Sequence, residues 1–367
     1  MFLFKKAKPM DICIVCGARP NFIKVAPLIR ALRAAGSRYG LVYTGAADDP
    51  DVEPGIFADL QIPRPDECLG VTCLNLNELT GEVMRRFDAY LQRHAVGTVV
   101  VVDDLASTMA VAIVAKKRGV RLAHIAAGTR SFDISMPKEV NRLVIDGLSD
   151  ILFTAGASNS SIANREGAEL SKVYMAGNIL VDNLRFVQSR LREPPLAAAL
   201  GLRPGGYLVF TLNRKALIAD RQNMQRMVTA IVGGSGGVPV VAPLRAAAAE
   251  VAGACLPPSA KERFRIVDPL PYLQFAWLAA HAKGIVTDSG NVAEEATFNH
   301  VPCITLNSYT EHIETVRLGT NVLVGEDAAK LGAAVADIMA GNWKTGSLPE
   351  RWDGRTAERI VSILGQG

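Results

Sequence analysis

Two strand-to-helix turns and one pair of carboxylates hold most of the chemistry this sequence could perform. In CIVCGARPNFIKVAPLIRAL (13–32) a short apolar run passes through Gly17 into Arg19, Pro20 and, one helical turn later, Lys24. Gly17 permits a sharp turn and Pro20 suits a first helical turn, so free backbone N–H groups and the positive helix end would face outward beside two cations. That describes an anion site, and one without the GxGxxG of a dinucleotide fingerprint or the GKS/T of a P-loop. The plainer reading is a strand-turn-helix with incidental charges, because Val25, Leu28, Ile29 and Leu32 follow the spacing of a helix face. In TDSGNVAEEA (287–296) a strand stops at Ser289-Gly290 and a helix starts at Val292, so amides, a hydroxyl and a helix dipole converge on one point. This is the strongest phosphate-binding signal in the chain, and Glu295, ionised, would accept from both hydroxyls of a ribose. In VVVVDDLAST (99–108) Asp103 and Asp104 end a buried strand before a helix that starts at about Ala106. One of them caps that helix, as Asp often does, or a carboxylate points toward a ligand from the carboxyl end of the strand. HIAAGTR (124–130) ends its strand in the same kind of place.

The elements that would position these residues alternate regularly. Apolar runs ICIV, YGLVYT, TVVVV, RLAHIA, DILFT and KVYMA are separated by helical stretches or Gly-rich turns from Asp11 to about Asn183. Runs that are continuously apolar, instead of alternating with period two, imply a parallel sheet covered on both faces. REPPLAAALGLRPGG (192–206), rich in Pro and Gly, marks a domain boundary. A second set follows: YLVFTL, a helix after Ile218, a GGSGG turn at 233–237, VPVVAP, RFRIV, a helix from Pro271 to Ala282, GIVT, VPCITL, NVLV, and helices near 327–340 and 355–364. The expectation is an α/β chain of two doubly wound, Rossmann-like domains, 1–190 and 200–367, with the last helix free to return to the first. Ligand would then bind in a cleft at the carboxyl ends of both sheets.

Bulk properties narrow the function classes. A chain of 367 residues exceeds one small core, and 49% hydrophobic with 21% charged residues fits a soluble globular protein. The formal charge of +4 is scattered and gives no basic stripe, so nucleic acid is not an expected partner. Cys13 and Cys16 lie in an apolar strand with no second CxxC or paired His, which favours buried free thiols over zinc. MFLFKKAK has too short an apolar run for a signal peptide, and nothing reaches the roughly 18 apolar residues of a membrane span, so a cytoplasmic protein is expected. His94 and His281 read as helix-end residues and His124 as a satisfied core histidine. Phe275 and Trp277, two apart, point to different helix faces, so one of them belongs to the core. Lys116, Lys117 and Arg118 read as a solvated helix end.

Taken in order, the motifs resemble one family. GARPNFIKVAPLIRAL looks like the G-T-R-P-E-x-I-K-x-A-P opening of the non-hydrolysing UDP-N-acetylglucosamine 2-epimerases. AAGTRS followed by MPKEVNR resembles their E-A-G-L-R and P-E-E-x-N-R segments, and AGNILVDNL their G-N-T-x-x-D. PLPYLQFAWL is similar to P-L-x-Y-x-x-F and TDSGNVAEEA to T-D-S-G-G-x-Q-E-E. The resemblance runs from about residue 11 to about residue 325. It implies a glycosyltransferase-B-type fold, UDP or a UDP-sugar in an interdomain cleft, a homodimer and no cofactor or metal. Such enzymes eliminate UDP to leave a 2-acetamidoglucal and then add UDP back with the second carbon inverted. By motif match Arg19 and Lys24 would face the diphosphate and its cleft, Phe275 the uracil, and Ser289, Gly290 and Glu295 the phosphate and ribose. Asp104 falls at the sugar-facing acid, while Glu139, Asn141 and Arg142 match the tail of P-E-E-x-N-R.

Several family positions are replaced. Ala126 stands for the Glu of E-A-G-L-R, Lys138 for the first Glu of P-E-E, and Asn213, followed by Arg214, for the histidine of G-H-R. The T-G-Q-H loop ends at Ala47, the T-E-R arginine is His312, and the second Gly after the serine is Asn291. Substitutions fall on the sugar and acid–base side more than on the nucleotide side. An alanine cannot transfer a proton, so proton abstraction at the sugar is expected to be altered or gone, which leaves open a nucleotide-sugar-binding protein without epimerase activity, a UDP-sugar hydrolase or a glycosyltransferase.

Overall fold

The computed structural model describes residues 10–167 and 171–366. The chain divides into two compact units: described residues within Met1–Phe186 and Glu350–Gly367 form the first, and Val187–Pro349 the second. The change of unit therefore comes at Val187, ahead of the Pro- and Gly-rich stretch 192–206. That stretch packs into the second unit, where Ala197 and Leu202 join Tyr207 and Val209 in one apolar layer.

The first unit holds a parallel sheet of β1 (Met10–Cys16), β2 (Tyr39–Tyr43), β3 (Glu67–Cys68), β4 (Val96–Val102), β5 (Arg121–Ala127), β6 (Ile151–Thr154) and β7 (Lys172–Met175). Its spatial order is β3-β2-β1-β4-β5-β6-β7. The second unit holds β8 (Leu208–Phe210), β9 (Val240–Pro243), β10 (Phe264–Val267), β11 (Gly284–Thr287), β12 (Cys303–Thr305) and β13 (Asn321–Leu323), in the order β10-β9-β8-β11-β12-β13. Both are doubly wound, and the order reverses between β1 and β4 and again between β8 and β11. Ligands bind outside the carboxyl ends of strands at such switch points. Both are Rossmann-like α/β units.

The continuous apolar runs have a simple cause. In the second sheet Leu208, Phe210, Val286 and Ile304 feed one apolar layer, while Val209, Ile285 and Cys303 feed the other. Successive side chains point to opposite faces, so a sheet covered on both sides needs an apolar residue at every position. Cys13, Cys16 and Cys303 are fully buried in such strands, and burial pushes the Cys13 and Cys303 thiols up to about 12. No helix among the described residues is long and apolar enough to cross a membrane.

The terminal helix Thr356–Leu364 belongs to the first unit and packs on the first helix, Arg19–Ala34. The AGNILVDNL motif anchors it: Asp182 Oδ2 accepts the Ala357 N–H at 2.7 Å. A side chain at Gly177, which has φ +109°, would collide with the Arg351 carbonyl. This family-like motif is therefore architectural.

Candidate active site

In the first unit the site builds up where β1 and β4 end. Gly17 leaves β1 so close to the helix that follows β4, Ala106–Lys117, that a Cβ would sit 2.1 Å from Ser107 Oγ. Only glycine allows this approach across the switch point. The helix Arg19–Ala34 then begins, but its first amides are not free. Asn21 Oδ1 accepts from Gly17 (2.9 Å) and Ala18 (3.2 Å), and Asp51 Oδ2 accepts the Arg19 N–H at 3.1 Å. The expectation of open N–H groups at this turn is thus corrected, because the chain's own side chains cap them. The Arg19 guanidinium is partly exposed, 3.9 Å from Glu53. Lys24 is buried, with Nζ 2.5 Å from Asp103 Oδ1.

Neither Asp103 nor Asp104 caps the following helix, whose N-cap is Leu105 and which receives no side-chain cap bond. Asp103 has φ +60° and gives its other carboxylate oxygen to Asn21 Nδ2 at 2.9 Å. Asp104 turns to the helix Pro137–Leu148. Its Oδ2 receives Arg142 Nε at 2.8 Å and Nη2 at 2.6 Å, Lys138 Nζ lies 3.4 Å from Oδ1, and Asn141 Nδ2 donates to its carbonyl at 2.8 Å. Burial raises the Asp104 carboxyl, but Lys138, Arg142 and Lys24 together outweigh it and hold it below the usual range. Asp104 is therefore a carboxylate, able to accept a proton and without one to give.

Glu139 is fully engaged. It accepts the backbone N–H of Ser131 and Phe132 and the Ser131 hydroxyl, each at 2.9 Å, and Arg142 Nη1 at 3.0 Å. Burial opposes ionisation there, but these donors prevail and the carboxyl lies below its ordinary value. It anchors a loop on which Phe132 has φ +61° and stands 66% exposed. Ala126 also takes a left-handed conformation, φ +68°, where β5 slips register against β6. A bulge of this kind re-aims a side chain, here a methyl group that can do no proton chemistry. Three strained non-glycine residues, Asp103, Ala126 and Phe132, thus lie on the strand ends and loop that carry the site. Ala47 is exposed on the turn after β2.

Behind these residues His124 is buried, with Nδ1 2.6 Å from Asp146 Oδ1 and Nε2 3.0 Å from the Asp103 carbonyl. Both ring nitrogens are used, as befits a core histidine. Asp146 also accepts from Gly128 N–H and from Arg130, whose guanidinium reaches Glu166. Asn21, Asp51 and this His124–Asp146–Arg130 network were not singled out from sequence. The only sequence cue was the pairing of a buried His with polar residues a helix away, which becomes visible only once β5 is placed against the helix Pro137–Leu148.

In the second unit the site lies where β8 and β11 end. Asp288 Oδ2 accepts the N–H groups of Asn213 (2.9 Å) and Arg214 (2.5 Å), tying the two strand exits together. Arg214 reaches the Leu306 carbonyl at 3.1 Å and Glu326 at 2.8 Å. Helix Gly290–Phe298 begins at Ser289, whose hydroxyl makes no cap bond, so Ser289, Gly290 and Asn291 present an uncapped helix start. Gly290 is required there, because a Cβ would sit 2.1 Å from the His312 ring, which is itself held by Glu294 at 2.8 Å. Asp288 Oδ1, Glu295 Oε2, Asn307 Oδ1 and Arg214 Nε are buried without a hydrogen-bond partner among the described residues. Native proteins rarely leave such groups unpaired, and a ligand, an ordered water or an ion can answer them.

Glu295 corrects a second expectation. Burial, reinforced by neighbouring Glu294, raises its carboxyl to about 8, so it is a neutral acid near pH 7 and can donate as well as accept. Because its folded value is raised, its contribution to stability is present below its unfolded value of about 4.3 and is lost as pH rises toward 8. Glu295→Gln should be more stable than wild type by about 1–3 kcal/mol at pH 8 and closer to it at pH 5, which urea unfolding at both values checks. Phe275 and Trp277, on the helix Tyr272–Ala280, are both half-buried against the same apolar layer, so neither is a core residue alone. A cavity of about 510 Å³ bordered by Leu191, Trp277, His281 and His300 opens before β11 and β12, at the opposite strand ends from this site.

Comparison with known proteins agrees with the geometry. The pattern of the family described as UDP-N-acetylglucosamine 2-epimerase matches residues 30–365. The UDP-N-acetylglucosamine 2-epimerase of Methanocaldococcus jannaschii is 31% identical over 98% of this chain and 100% of its own. The crystal structure of that enzyme with UDP-GlcNAc and UDP superposes with a TM-score of 0.85, at 30% identity over 98% of this chain and 100% of the other. The UDP-2,3-diacetamido-2,3-dideoxy-D-glucuronate 2-epimerase of Pseudomonas aeruginosa is 33% identical over 86% of this chain and 88% of its own. A Phytolacca americana protein solved with UDP-2-fluoro-glucose and pterostilbene shares the fold alone, with 13% identity, a TM-score of 0.58, and coverage of 98% of this chain and 94% of the other. The chain belongs to the UDP-N-acetylglucosamine 2-epimerase family of isomerases.

Proposed function

We propose that this chain binds UDP through its second unit and acts on the sugar of a UDP-sugar through residues of its first. The observation that carries this reading is the set of buried polar atoms on Asp288, Glu295, Asn307 and Arg214 that lack a partner among the described residues, on the chain segments around the uncapped helix start at Ser289. A nucleoside diphosphate offers phosphate oxygens to that helix end and hydroxyls to Glu295, Asp288 and Asn307. Arg214 supplies a nearby cation, Phe275 a ring face for uracil, and Asn213 and His312 the flanking polar groups. The sugar step removes the proton on the second carbon while the bond from the first carbon to UDP oxygen breaks, giving a glycal and UDP. Return of the proton to the opposite face of the second carbon, with the UDP oxygen rejoining the first carbon on its original face, restores the bond and inverts the second carbon alone. Asp104 is the carboxylate we assign to that proton, Arg142 orients it, and Glu139 fixes the loop beside it. Arg19 and Lys24 act on the diphosphate.

Calorimetry with UDP tests the nucleotide half. Wild type should bind with saturable heat, and Gly290→Ala should lose at least about tenfold in affinity, because the displaced His312 ring and helix start can no longer meet the phosphates. No heat with millimolar UDP would refute the reading.

We also propose a homodimer in the cytoplasm. Helix Pro137–Leu148 turns Val140 and Leu143 to solvent, each 41% exposed, and the preceding loop exposes Ile134 by 66%. A second copy of the chain would cover these residues. All six cysteines are unpaired, which fits a reducing compartment. Light scattering should give twice the chain mass for wild type and the single mass for Val140→Glu/Leu143→Glu. A monomeric wild type at micromolar concentration would end the dimer proposal.

A further inference from the structure

Lys24 is the cation best placed to serve an anion at the first strand-to-helix turn, and it is already neutralised. Asp103 Oδ1 lies 2.5 Å from its Nζ, and Asp103 Oδ2 takes Asn21 Nδ2 at 2.9 Å, so one carboxylate spans the inner face of the turn. Asp103 does this from φ +60°, a conformation that costs a non-glycine residue free energy and that Asp tolerates better than most. Its backbone is fixed on both sides, by the N–H to the Ile125 carbonyl at 3.3 Å and the carbonyl to His124 Nε2 at 3.0 Å. Asp146 steadies His124 in turn. Asp51 occupies the Arg19 N–H in the same manner. The donors that the turn offers an anion are thus held by the chain's own side chains, Gly17 and Ala18 by the Asn21 amide oxygen, Arg19 N–H by Asp51 and Lys24 by Asp103, and the hold on Lys24 is maintained against backbone strain.

We propose that Asp103 is a positioning residue that competes with the ligand's diphosphate for Lys24, and so sets how strongly the first unit holds the phosphates. Asp103 holds Lys24 in place, while its own negative charge offsets that cation and repels an incoming anion. The diphosphate gains Lys24 only as far as the Lys24–Asp103 contact loosens. This inference rests on the UDP-sugar reading given above.

Asp103→Asn tests it, since asparagine has the same shape, also accepts the left-handed conformation and lacks the charge. Its affinity for UDP, measured by calorimetry at low ionic strength, should rise about tenfold over wild type. The gain should shrink in high salt and vanish in Asp103→Asn/Lys24→Met. A residue with only a structural role would not tighten binding when replaced. Should Asp103→Asn fail to fold, Asp103→Gly, which suits the backbone, carries the same expectation. A folded variant that binds UDP as wild type does, or more weakly, overturns the inference while leaving the UDP reading intact. Absence of UDP binding in wild type defeats both.

Discussion

Arg142→Met should lower the stability of the protein by about 3–5 kcal/mol at pH 7, the largest loss expected of any single substitution discussed for this chain. Arg142 is buried and bridges Asp104 and Glu139, so removing the guanidinium leaves the buried Glu139 and the largely covered Asp104 without their shared partner. The pH dependence separates this cause from lost packing. Asp104 and Glu139 are held below their ordinary values in the fold, so their contribution is present above the unfolded values of about 4 and is lost as pH falls through the folded ones. In Arg142→Met Asp104 keeps Lys138 and Glu139 keeps its Ser131 and Phe132 donors, but both carboxyls rise from their wild-type values, and protonating them relieves the penalty. Urea midpoints of wild type and variant should therefore lie far apart at pH 7 and approach each other near pH 4.5. A deficit under about 1 kcal/mol, or one that does not change with pH, would make Arg142 equivalent to a surface ion pair.

Ala126→Glu, Lys138→Glu and Asn213→His together should raise proton exchange at the second sugar carbon by about a hundredfold or more, while UDP affinity stays within about tenfold of wild type. The backbone at Ala126 is already left-handed, and a glutamate there meets no worse conformation than the alanine does. Lys138 lies 3.4 Å from Asp104 and is the strongest of the charges that lower its carboxyl. Replacing it with glutamate lets Asp104 rise toward its ordinary value and become a better base. Asn213 is exposed, with its backbone tied to Asp288, so a histidine can occupy it without disturbing the atoms that answer the nucleotide. If exchange stays at the wild-type rate in a triple variant that still binds UDP, the replaced residues are not what limits the sugar step.

Residues that face both sides of a sheet were the most legible in the sequence. TVVVV and GIVT read as strands because their successive apolar side chains, such as Ile285 and Val286, fill apolar layers on opposite faces of the sheet. Glu67–Cys68, a two-residue edge strand, carries no such run and leaves no strand signal in the sequence. The Pro-rich stretch after Glu193 looks like a linker by composition, yet its short helix Pro195–Ala199 packs into the second unit. The unit changes one helix earlier, where Val187 has no turn residues around it.

The site was legible in position more than in electrostatic state. Ser289-Gly290 and Gly17 announced their strand exits, because a sharp turn at a switch point needs glycine for a close approach. The ionisation of Glu295 was invisible, since it depends on burial and on Glu294 beside it. The masking of Lys24 by Asp103 was equally hidden, since it joins residues on different elements through a left-handed conformation that sequence does not print. Glu139 matched a family acid by position, and only its four donors reveal it as a loop anchor.

Proton NMR of UDP-N-acetylglucosamine incubated with the wild-type protein in deuterated water tests the UDP-sugar isomerase reading most directly. Asp104 is ionised and oriented while Ala126 offers no second acid–base group, so slow loss of the proton signal at the second carbon is expected, with the nucleotide-sugar otherwise intact or inverted. Release of UDP and free sugar without exchange, or an unchanged substrate at high protein concentration, would contradict it.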